Sequence, residues 1–485
     1  MAKLWLDVSS IMVWQRPAVG VIRVEFECAR FFLKQYEVFA DEVGFCRADG
    51  VGGFYEVGSG AVENAIASIL GRSIETNPAP AVESNFTAVA VPFEVRVKRR
   101  LVRTLEHFPE RLRSGLVSWI FINKSDLLRI FQALRLVREG FNLLFHSISN
   151  IKFSRKQAAS VVSDDPLRSA LHHPFSPGDL YFSAGADWNH SDLSNLYEIK
   201  KSIDISVVLF CYDLIPIKFP HLTLDYVAEI FPRYYSNMAW VADKVLCISK
   251  CSESDMLEFF RAIGAPLPST TVLRLGDELS EVKASAGLFQ GELAVLNGRE
   301  YILFVSTIER RKNHEVLYRA YLKLLDDGVD SLPLLVFVGM PGWGVSDFIH
   351  DVRSDFRVKD SICIFNHVTD DELASLYKNC LFTVYPSLYE GWGLPVAESM
   401  GYGKLCIASS RSSIPEIGGG LVKYIEPTSV EGWAQAMKFY SQDKSALFYE
   451  EQKIVGSFSA TSWEDTAMNI FGACKEVTSR NRRME

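Results

Sequence analysis

Two kinds of hydrophobic pattern alternate along the second half of the chain. Short runs such as YILFVST (301–307) and LPLLVFVG (332–339) are almost entirely apolar, which is typical of strands buried on both faces of a sheet. Between them lie stretches such as NHEVLYRAYLKLLDDG (313–328), in which apolar residues recur at helical spacing. The same patterns predict strands at 361–368, 381–387 and 404–410, and helices at 346–356, 370–380 and 395–403. This alternation predicts a Rossmann-like α/β domain with a parallel sheet covered on both faces.

The first 285 residues show a similar but less regular alternation. Strands are predicted at 3–9, 179–185, 205–213 and 244–249, and helices at 20–36 and 224–242. Few strands are evident between about 50 and 175, and a stretch near 276–298 that mixes Gly, Ser and acids is predicted to be a linker. We therefore expect an N-terminal domain at 1–285 with an insert at about 45–175, a second domain at 286–457, and an amphipathic final segment at 458–485.

Composition and charge narrow the class of protein. The 485 residues are 48% hydrophobic and 23% charged, which excludes disordered and collagen-like chains. The net charge of −8 argues against a nucleic-acid partner, although residues 96–156 carry fourteen Lys and Arg against four acids. No run of about 18 apolar residues occurs, so no membrane-spanning helix is expected. The nine scattered cysteines contain no C-x-x-C pair, which favours reduced thiols in a cytosol.

The stretch YPSLYEGWGLPVAESMGYGKLCIASSRSSIPEIGGG (385–420) holds the strongest candidate chemistry. A buried strand ends there, and a turn with Gly391 and Gly393 leads into a helix near Pro395. Such a turn presents free backbone N–H groups to an anion such as a phosphate. Glu390 and Glu398, eight residues apart, are carboxylates suited to sugar or ribose hydroxyls. On these residues alone, an ordinary turn with solvated acids remains an equal alternative.

This stretch resembles the E-x7-E signature of retaining, family-four glycosyltransferases with the GT-B architecture. Further segments resemble the same family in the same order along the chain. They are RPAVGVIRVEFECAR (16–30), CYDLIPIKFPH (211–221), ADKVLCISKCSESDM (242–256), FVSTIERRKNHEVLYRAY (304–321), FVGMPGW (337–343) and DDELASLYKNC (370–380). The resemblance covers about 1–36 and 176–475, and it leaves the insert of about 45–175 unmatched.

The resemblance implies a fold and an activity. The fold is α/β and GT-B, with two Rossmann-like domains whose parallel sheets face a central cleft and a C-terminal helix that crosses back to the N-terminal domain. The activity is transfer of a hexose or deoxyhexose from a nucleotide sugar to a glycan acceptor, with retention, in bacterial surface polysaccharide synthesis (O antigen, capsule or exopolysaccharide). The DLIP segment (213–216) favours a GDP-linked, mannose-like donor. No D-x-D motif occurs, so we expect no metal and no cofactor besides the donor.

The family pattern also implies roles for individual residues. Glu390 would contact the donor sugar, and Arg311 and Lys312 would neutralise the diphosphate. Asp213 is either a hydroxyl acceptor in the cleft or a cap at the end of a strand, and the residue before it is Tyr212 where the family has His. The residues implied to bind the donor are Gly20, Ser306, Gly391, Trp392, Gly393, Leu394 and Glu398, the last on the ribose. Ser306 and Trp392 replace the family's usual Gly and Phe.

The acceptors of the resembled family in bacteria are often lipid-linked, which suggests a role for the basic segment 96–156. Its Lys and Arg side chains, with interleaved Trp119 and Phe121, are expected to attach the protein to the anionic cytoplasmic surface of the inner membrane. A solvated helical face or a wall that binds a pyrophosphate-linked acceptor are the alternatives. For the whole protein, the alternatives are a catalytically degenerate GT-B partner subunit, which the missing His at 212 favours, or a nucleotide-sugar epimerase.

Overall fold

The computed structural model describes residues 2–15, 18, 20–35, 42–50, 52–70, 171–278, 288–329 and 331–484. The chain divides into two units, one formed by residues 1–74 and 171–485 and the other by residues 75–170. The described residues all belong to the first unit. The basic segment 96–156 therefore lies outside the described residues, and its predicted roles are not tested.

The N-terminal part of this unit is built on a seven-stranded sheet with the order β3-β2-β1-β4-β5-β6-β7. All neighbouring strands are parallel except β3, which pairs antiparallel with β2. The strands are β1 Leu4–Asp7, β2 Val43–Ala48, β3 Phe54–Val57, β4 Leu180–Ser183, β5 Ser206–Cys211, β6 Lys244–Cys247 and β7 Ser269–Val272. The helices are α1 Ser9–Val13, α2 Val21–Lys34, α3 Ser59–Ile69, α4 Leu193–Ile203, α5 Ile215–Lys218, α6 Asp225–Val241 and α7 Lys250–Ala262. The predicted strands and helices of this half are confirmed.

A second, wholly parallel sheet of six strands has the order β10-β9-β8-β11-β12-β13. Its strands are β8 Tyr301–Val305, β9 Leu334–Val338, β10 Ile362–Phe365, β11 Phe382–Tyr385, β12 Cys406–Ser409 and β13 Lys423–Ile425. The later helices are α8 His314–Asp326, α9 Ser346–Ser354, α10 Asp370–Asn379, α11 Leu394–Gly401, α12 Ile414–Gly418, α13 Val430–Gln442, α14 Lys444–Ser457 and α15 Trp463–Met484. The predicted Rossmann-like domain is therefore confirmed, and β13 is an additional strand.

The structure corrects the predicted start of the insert near residue 45. Strands β2 and β3 belong to the first sheet, and α3 packs against α1 and α2. The sequence pattern did not indicate β3, because β3 is an edge strand in which Phe54 and Val57 are buried and Tyr55 and Glu56 are exposed. An edge strand with mixed exposure lacks the continuous apolar run that identifies a central parallel strand.

The last helix, α15, returns to the first sheet, as expected for the GT-B architecture. It packs against α2, where the rings of Phe32 and Phe471 are 5.4 Å apart, and against β4 and β5. Its Glu476 pairs with Lys244 of β6 at 2.7 Å. The two connections between the sheets run side by side, because the N–H of Asp277 donates to the carbonyl of Thr461 at 3.0 Å. Among the described helices, none has the length and apolar character needed to cross a bilayer.

Candidate active site

A basic turn, Arg310–Lys312, follows β8 at the carboxyl end of the second sheet. Asn313 ends the turn in the left-handed region, with φ of 61°, and its side-chain amide donates to the carbonyls of Pro386 and Pro427 at 3.1 and 2.8 Å. The carbonyl of Arg311 accepts from the N–H of Leu388 at 2.8 Å. These bonds hold the basic turn against the segment that follows β11.

The structure brings Glu390, Arg311 and Lys312 together. The Nζ of Lys312 lies 2.6 Å from Oε1 of Glu390, and Nη1 of Arg311 lies 2.6 Å from Oε2. Oε1 also accepts from the hydroxyls of Ser387 and Tyr385, at 2.6 and 3.1 Å. Four donors from two strand ends therefore surround one buried carboxylate. The sequence analysis missed Ser387 and Tyr385, although both lie in the quoted YPSLYE motif.

Nearby positive charge keeps the Glu390 carboxylate ionised. Burial by itself raises the pKa of Glu390, but the charges of Arg311 and Lys312 outweigh it and lower the pKa to about 2. Burial lowers the pKa of Lys312, and the Glu390 carboxylate opposes that change. Glu309 also binds Arg311, at 2.7 Å from Nη2. Two cations are thus held in place at a strand end, an arrangement that can stabilise negative charge developing on a leaving group.

The turn that follows Glu390 is held close to the first domain. A Cβ at Gly391 would lie 2.6 Å from the carbonyl oxygen of Tyr212, so only glycine fits this approach. Gly393 has φ of 138°, and α11 begins at Leu394 with Pro395 in its first turn. Within the described part of the chain, the N–H groups of Gly391, Trp392 and Gly393 have no hydrogen-bond partner. The predicted turn is therefore present, and its three residues are buried.

Two serines after β12 support the same turn and were missed by the sequence analysis. The hydroxyl of Ser412 accepts from the N–H of Glu390 at 2.9 Å. The hydroxyl of Ser413 donates to the carbonyls of Glu390 and Trp392, at 2.9 and 2.7 Å. Their only signal in the sequence is a polar run directly after a buried strand, which by itself indicates a loop.

Glu398 occupies a different place from Glu390. Its Oε2 accepts from the hydroxyl of Tyr377 at 2.9 Å, and within the described residues the two glutamates share no hydrogen-bond partner. Burial raises the pKa of Glu398, and the hydrogen bond from Tyr377 and the charge of Arg23 oppose that rise. Arg23 lies in the first turn of α2, three residues after Gly20, which has φ of 54°. Among the described residues, no hydrogen bond or ion pair joins Gly20 or Arg23 to Glu398 or to Glu390, so the structure does not bring Gly20 into contact with either glutamate.

Asp213 lies beside the Glu390 cluster and also acts as a cap. Its Oδ1 accepts from the N–H of Ile215 at 3.0 Å, which bears out the cap interpretation. Burial raises its pKa, and the nearby charge of Arg311 opposes that effect. The neighbouring Tyr212 donates its hydroxyl to the carbonyl of Ala184 at 2.5 Å, within the first domain. Tyr212 therefore offers no direct substitute for the family's His.

Ser306 and Trp392 are both buried near the strand ends of the second sheet. The hydroxyl of Ser306 is 3.4 Å from Nε2 of His314, whose pKa burial lowers to about 3, so that the ring is neutral. The indole N–H of Trp392 has no hydrogen-bond partner in the described part of the chain. In the same part of the chain, no group of three or more His, Cys, Asp or Glu is arranged to hold a metal ion.

Comparison with known proteins places this site in a recognised domain. Residues 289–455 match the family described as "Glycosyl transferases group 1". This range contains the second sheet with Arg311, Lys312, Glu390 and Glu398. Residues 289–455, about a third of the chain, are therefore similar to group 1 glycosyltransferases, as the sequence analysis predicted for the second domain.

Curated relatives include bacterial mannosyltransferases. The chain is 27% identical over 270 residues to the serotype-specific mannosyltransferase WbdA of Escherichia coli, a match that covers 54% of this chain and 32% of that protein. It is 27% identical over 236 residues to the O-antigen chain mannosyltransferase B of Escherichia coli, covering 48% of this chain and 61% of that protein. The chain thus spans about a third of the length of the first relative and less than two thirds of the second.

Among solved structures, the chain is similar to the sucrose-phosphate synthase from Thermosynechococcus elongatus. The TM-score is 0.47 at 18% identity, over 62% of this chain and 74% of that chain. The pneumococcal O-GlcNAc transferase GtfA in complex with UDP and GlcNAc gives a TM-score of 0.44 at 15% identity, over 62% of this chain and 57% of that chain.

Proposed function

We propose that the protein is a retaining, metal-independent glycosyltransferase that moves a hexose or deoxyhexose from a nucleotide sugar to a glycan acceptor. The observation that carries the proposal is the cluster in which Arg311 and Lys312 flank Glu390 within the group 1 domain. Catalysis of this kind needs fixed positive charge where the nucleoside diphosphate leaves. The N–H groups of residues 391–393, which have no hydrogen-bond partner within the described residues, add a second source of positive potential.

In this proposal, the ion pairs of the cluster exchange for contacts with the donor. Lys312 and Arg311 turn part of their hydrogen-bonding capacity to the diphosphate, while Glu390 accepts hydrogen bonds from hydroxyls of the sugar. The pKa of Glu390, near 2, keeps the carboxylate an acceptor throughout the physiological pH range. Glu398, on the next helix, takes the ribose hydroxyls, and Ser306, Trp392 and Leu394 border the donor.

The proposed donor is GDP-linked and mannose-like, and the proposed product is a bacterial surface polysaccharide. Support comes from the relatives named as mannosyltransferases and as O-antigen chain mannosyltransferases, and from the DLIP segment at 213–216. A catalytically degenerate partner subunit is the second candidate, because Tyr212 replaces the expected His and points into the first domain.

Binding and turnover of paired variants test the proposal. Lys312→Ala is expected to weaken GDP binding by about ten- to a hundred-fold, because a charge-assisted contact is lost. Lys323→Ala, which removes a more exposed lysine of α8, is the matched control and should bind as the parent does. Glu390→Ala should remove most transfer from a panel of nucleotide sugars.

The outcomes separate the two candidates. If Lys312→Ala binds GDP and UDP as tightly as the parent does, the site assignment is overturned. If the parent binds nucleotides tightly but transfers sugar from none of the nucleotide sugars in the panel, the partner subunit is favoured over the enzyme.

The basic segment 96–156 supports a further part of the proposal, attachment to an anionic membrane that presents a lipid-linked acceptor. Each Lys or Arg near such a surface contributes about 1 kcal/mol. The protein is expected to float with vesicles that contain anionic lipid, to remain unbound with neutral vesicles, and to be released by salt. Absence of binding to both kinds of vesicle at low salt would contradict the attachment.

A further inference from the structure

The segment ADKVLCISKCSESDM (242–256) contains three buried polar residues at intervals of three that the proposed chemistry does not use: Ser249, Ser252 and Asp255. They lie at the start of α7, directly after β6. Ser249 is the N-cap, and its hydroxyl accepts from the N–H of Ser252 at 3.0 Å. Because buried polar groups need partners, the partners of the other two residues indicate what this turn does.

Asp255 binds the residue that precedes Glu390. Its Oδ2 accepts from the hydroxyl of Tyr389 at 2.7 Å, and its Oδ1 accepts from Nζ of Lys218 at 2.5 Å. The Tyr389 ring packs against Phe219, with the ring centres 4.9 Å apart, and its hydroxyl is 3.2 Å from Sγ of Cys251. A side chain of the second domain is thus held by three residues of the first, Asp255, Phe219 and Cys251.

Two further contacts from the second domain reach the same turn. The hydroxyl of Ser252 donates to the carbonyl of Tyr212 at 2.7 Å and lies 3.3 Å from the carbonyl oxygen of Gly391. The carboxylate of Glu416 accepts from the N–H groups of Lys250 and Cys251, at 2.7 and 2.8 Å. First-turn N–H groups have no partner within their own helix, so Glu416 caps α7 from the other domain.

These contacts converge on residues 249–255, which we call the α7 platform. Their effect reaches Glu390 through the main chain of Tyr389. The carbonyl of Tyr389 accepts from Nη1 of Arg311 at 2.8 Å, and the same nitrogen lies 2.6 Å from Oε2 of Glu390. The α7 platform therefore holds the side chain of Tyr389, while Arg311 of the Glu390 cluster holds its carbonyl.

We propose that the α7 platform sets the geometry of the Glu390 cluster when the two domains are in contact, with Asp255 and Tyr389 as positioning residues. The inference rests on the proposed glycosyl transfer and assigns a role to a motif outside the donor site. Loss of the Asp255–Tyr389 bond leaves Arg311 and Lys312 in the second domain able to bind a nucleoside diphosphate. Loss of the same bond releases the turn that carries Glu390, so kcat falls more than nucleotide affinity does.

The test compares the full-length parent with Tyr389→Phe, Asp255→Ala, the double variant, and Tyr321→Phe as the matched control. Tyr321 of α8 donates its hydroxyl to the carbonyl of Pro333, so the control loses a hydroxyl away from the platform and from α12, which carries Glu416. Tyr389→Phe is expected to lower kcat about tenfold or more, with GDP and UDP affinity within about twofold of the parent. The double variant should lose no more than Asp255→Ala alone, because both changes remove the bond between Tyr389 and Asp255, and Asp255→Ala also removes the ion pair with Lys218.

Hydrogen exchange provides a measurement that does not depend on transfer. Within the described residues, Glu416 is the one hydrogen-bond partner of the Lys250 and Cys251 amides. A loosened platform is therefore expected to raise their exchange in Tyr389→Phe and to leave it unchanged in the control. Parent-like kcat in Tyr389→Phe overturns the positioning role, whether or not exchange rises. If the parent transfers no sugar, the proposed function fails, and parent-like exchange in Tyr389→Phe would separately overturn the platform. Should Asp255→Ala not fold, Tyr389→Phe decides the matter alone.

Discussion

Buried carboxyl groups lie at the carboxyl ends of both sheets, and their surroundings differ. In the second sheet, Glu390 is paired with two cations. In the first sheet, Asp7 ends β1, Asp187 follows β4, and Glu25 reaches them from α2; all three are at most 4% exposed. Within the described residues, no Lys or Arg forms an ion pair with any of these three acids.

Hydrogen bonds alone satisfy the acids of the first sheet. Asp7 accepts from the hydroxyl of Tyr181 at 2.6 Å, Glu25 accepts from the N–H of Ile11 at 2.8 Å, and Asp187 accepts from the hydroxyls of Ser183 and Tyr234. Burial, reinforced by the charge of Asp7, raises the pKa of Asp187 to about 8. The pKa values of Asp7 and Glu25 are also raised, chiefly by burial.

The comparison shows that burial does not decide the protonation state of these acids. Glu390 and Asp187 are similarly buried, yet the pKa of one is lowered to about 2 and that of the other is raised to about 8. The difference comes from Arg311 and Lys312, because nearby opposite charge outweighs the cost of removing a carboxylate from water. The second sheet therefore carries an ionised carboxylate between two cations, and the first carries acids whose pKa values are raised, that of Asp187 to about 8.

The largest expected effect is on stability when Glu390 is neutralised. Glu390→Gln leaves two buried cations without their shared carboxylate, so the free energy of unfolding at pH 7 should fall by about 3 kcal/mol. Glu315→Gln breaks the exposed pair with Arg319 and should cost less than about 1 kcal/mol. Urea unfolding of both variants measures the difference, and equal losses would show that the cluster is not electrostatically coupled.

Asp187→Asn tests the other half of the comparison. The pKa of Asp187 in the folded state lies above its unfolded value of 3.8, so its stabilising contribution is full below about pH 4 and is lost as the pH rises through about 8. Between pH 5 and pH 8 the parent should lose on the order of 3 kcal/mol from this group. Asp187→Asn should lose less over the same range, as measured by urea unfolding at several pH values. The exposed Glu229→Gln is the control, and a pH dependence in Asp187→Asn identical to that of the parent would contradict the assignment.

Glu398 is an intermediate case, with a hydrogen bond from Tyr377 and, in the described residues, no ion pair. Tyr377→Phe removes a donor to this carboxyl group, so we expect a loss of about 1 kcal/mol and a further rise in the pKa of Glu398. Tyr321→Phe, which loses a bond to the neutral carbonyl of Pro333, should cost a similar amount without changing how stability depends on pH. If the free energy of unfolding depends on pH in the same way in the two variants, the bond from Tyr377 does not control the pKa of Glu398.

The local pattern of the sequence was sufficient for most of the second sheet. Its central strands are short, continuous apolar runs, and the helices between them have regular amphipathic spacing, so β8 to β12 and α8 to α11 were predicted close to their observed bounds. No strand was predicted at β2, β3, β7 or β13. The last three are edge strands with partly exposed side chains, which give no such run, and the short run of β2 is interrupted by Gly44 and Arg47. The resemblance carried by segments 304–321 and 385–420 identified Glu390, Arg311 and Lys312 as candidates.

Which groups meet was decided by the tertiary structure. Lys312 and Glu390 are 78 positions apart, and Asp255 and Tyr389 are 134 apart, so no local pattern indicates that either pair is bonded. Strand order brings the first pair together, because β8 and β11 are neighbours in the parallel sheet and their carboxyl ends meet at one edge. Contact between the two domains creates the second pair. The sequence by itself determined the elements and the candidate acids and cations, and the packing of strand ends determined which acids are paired with cations and therefore which stay charged.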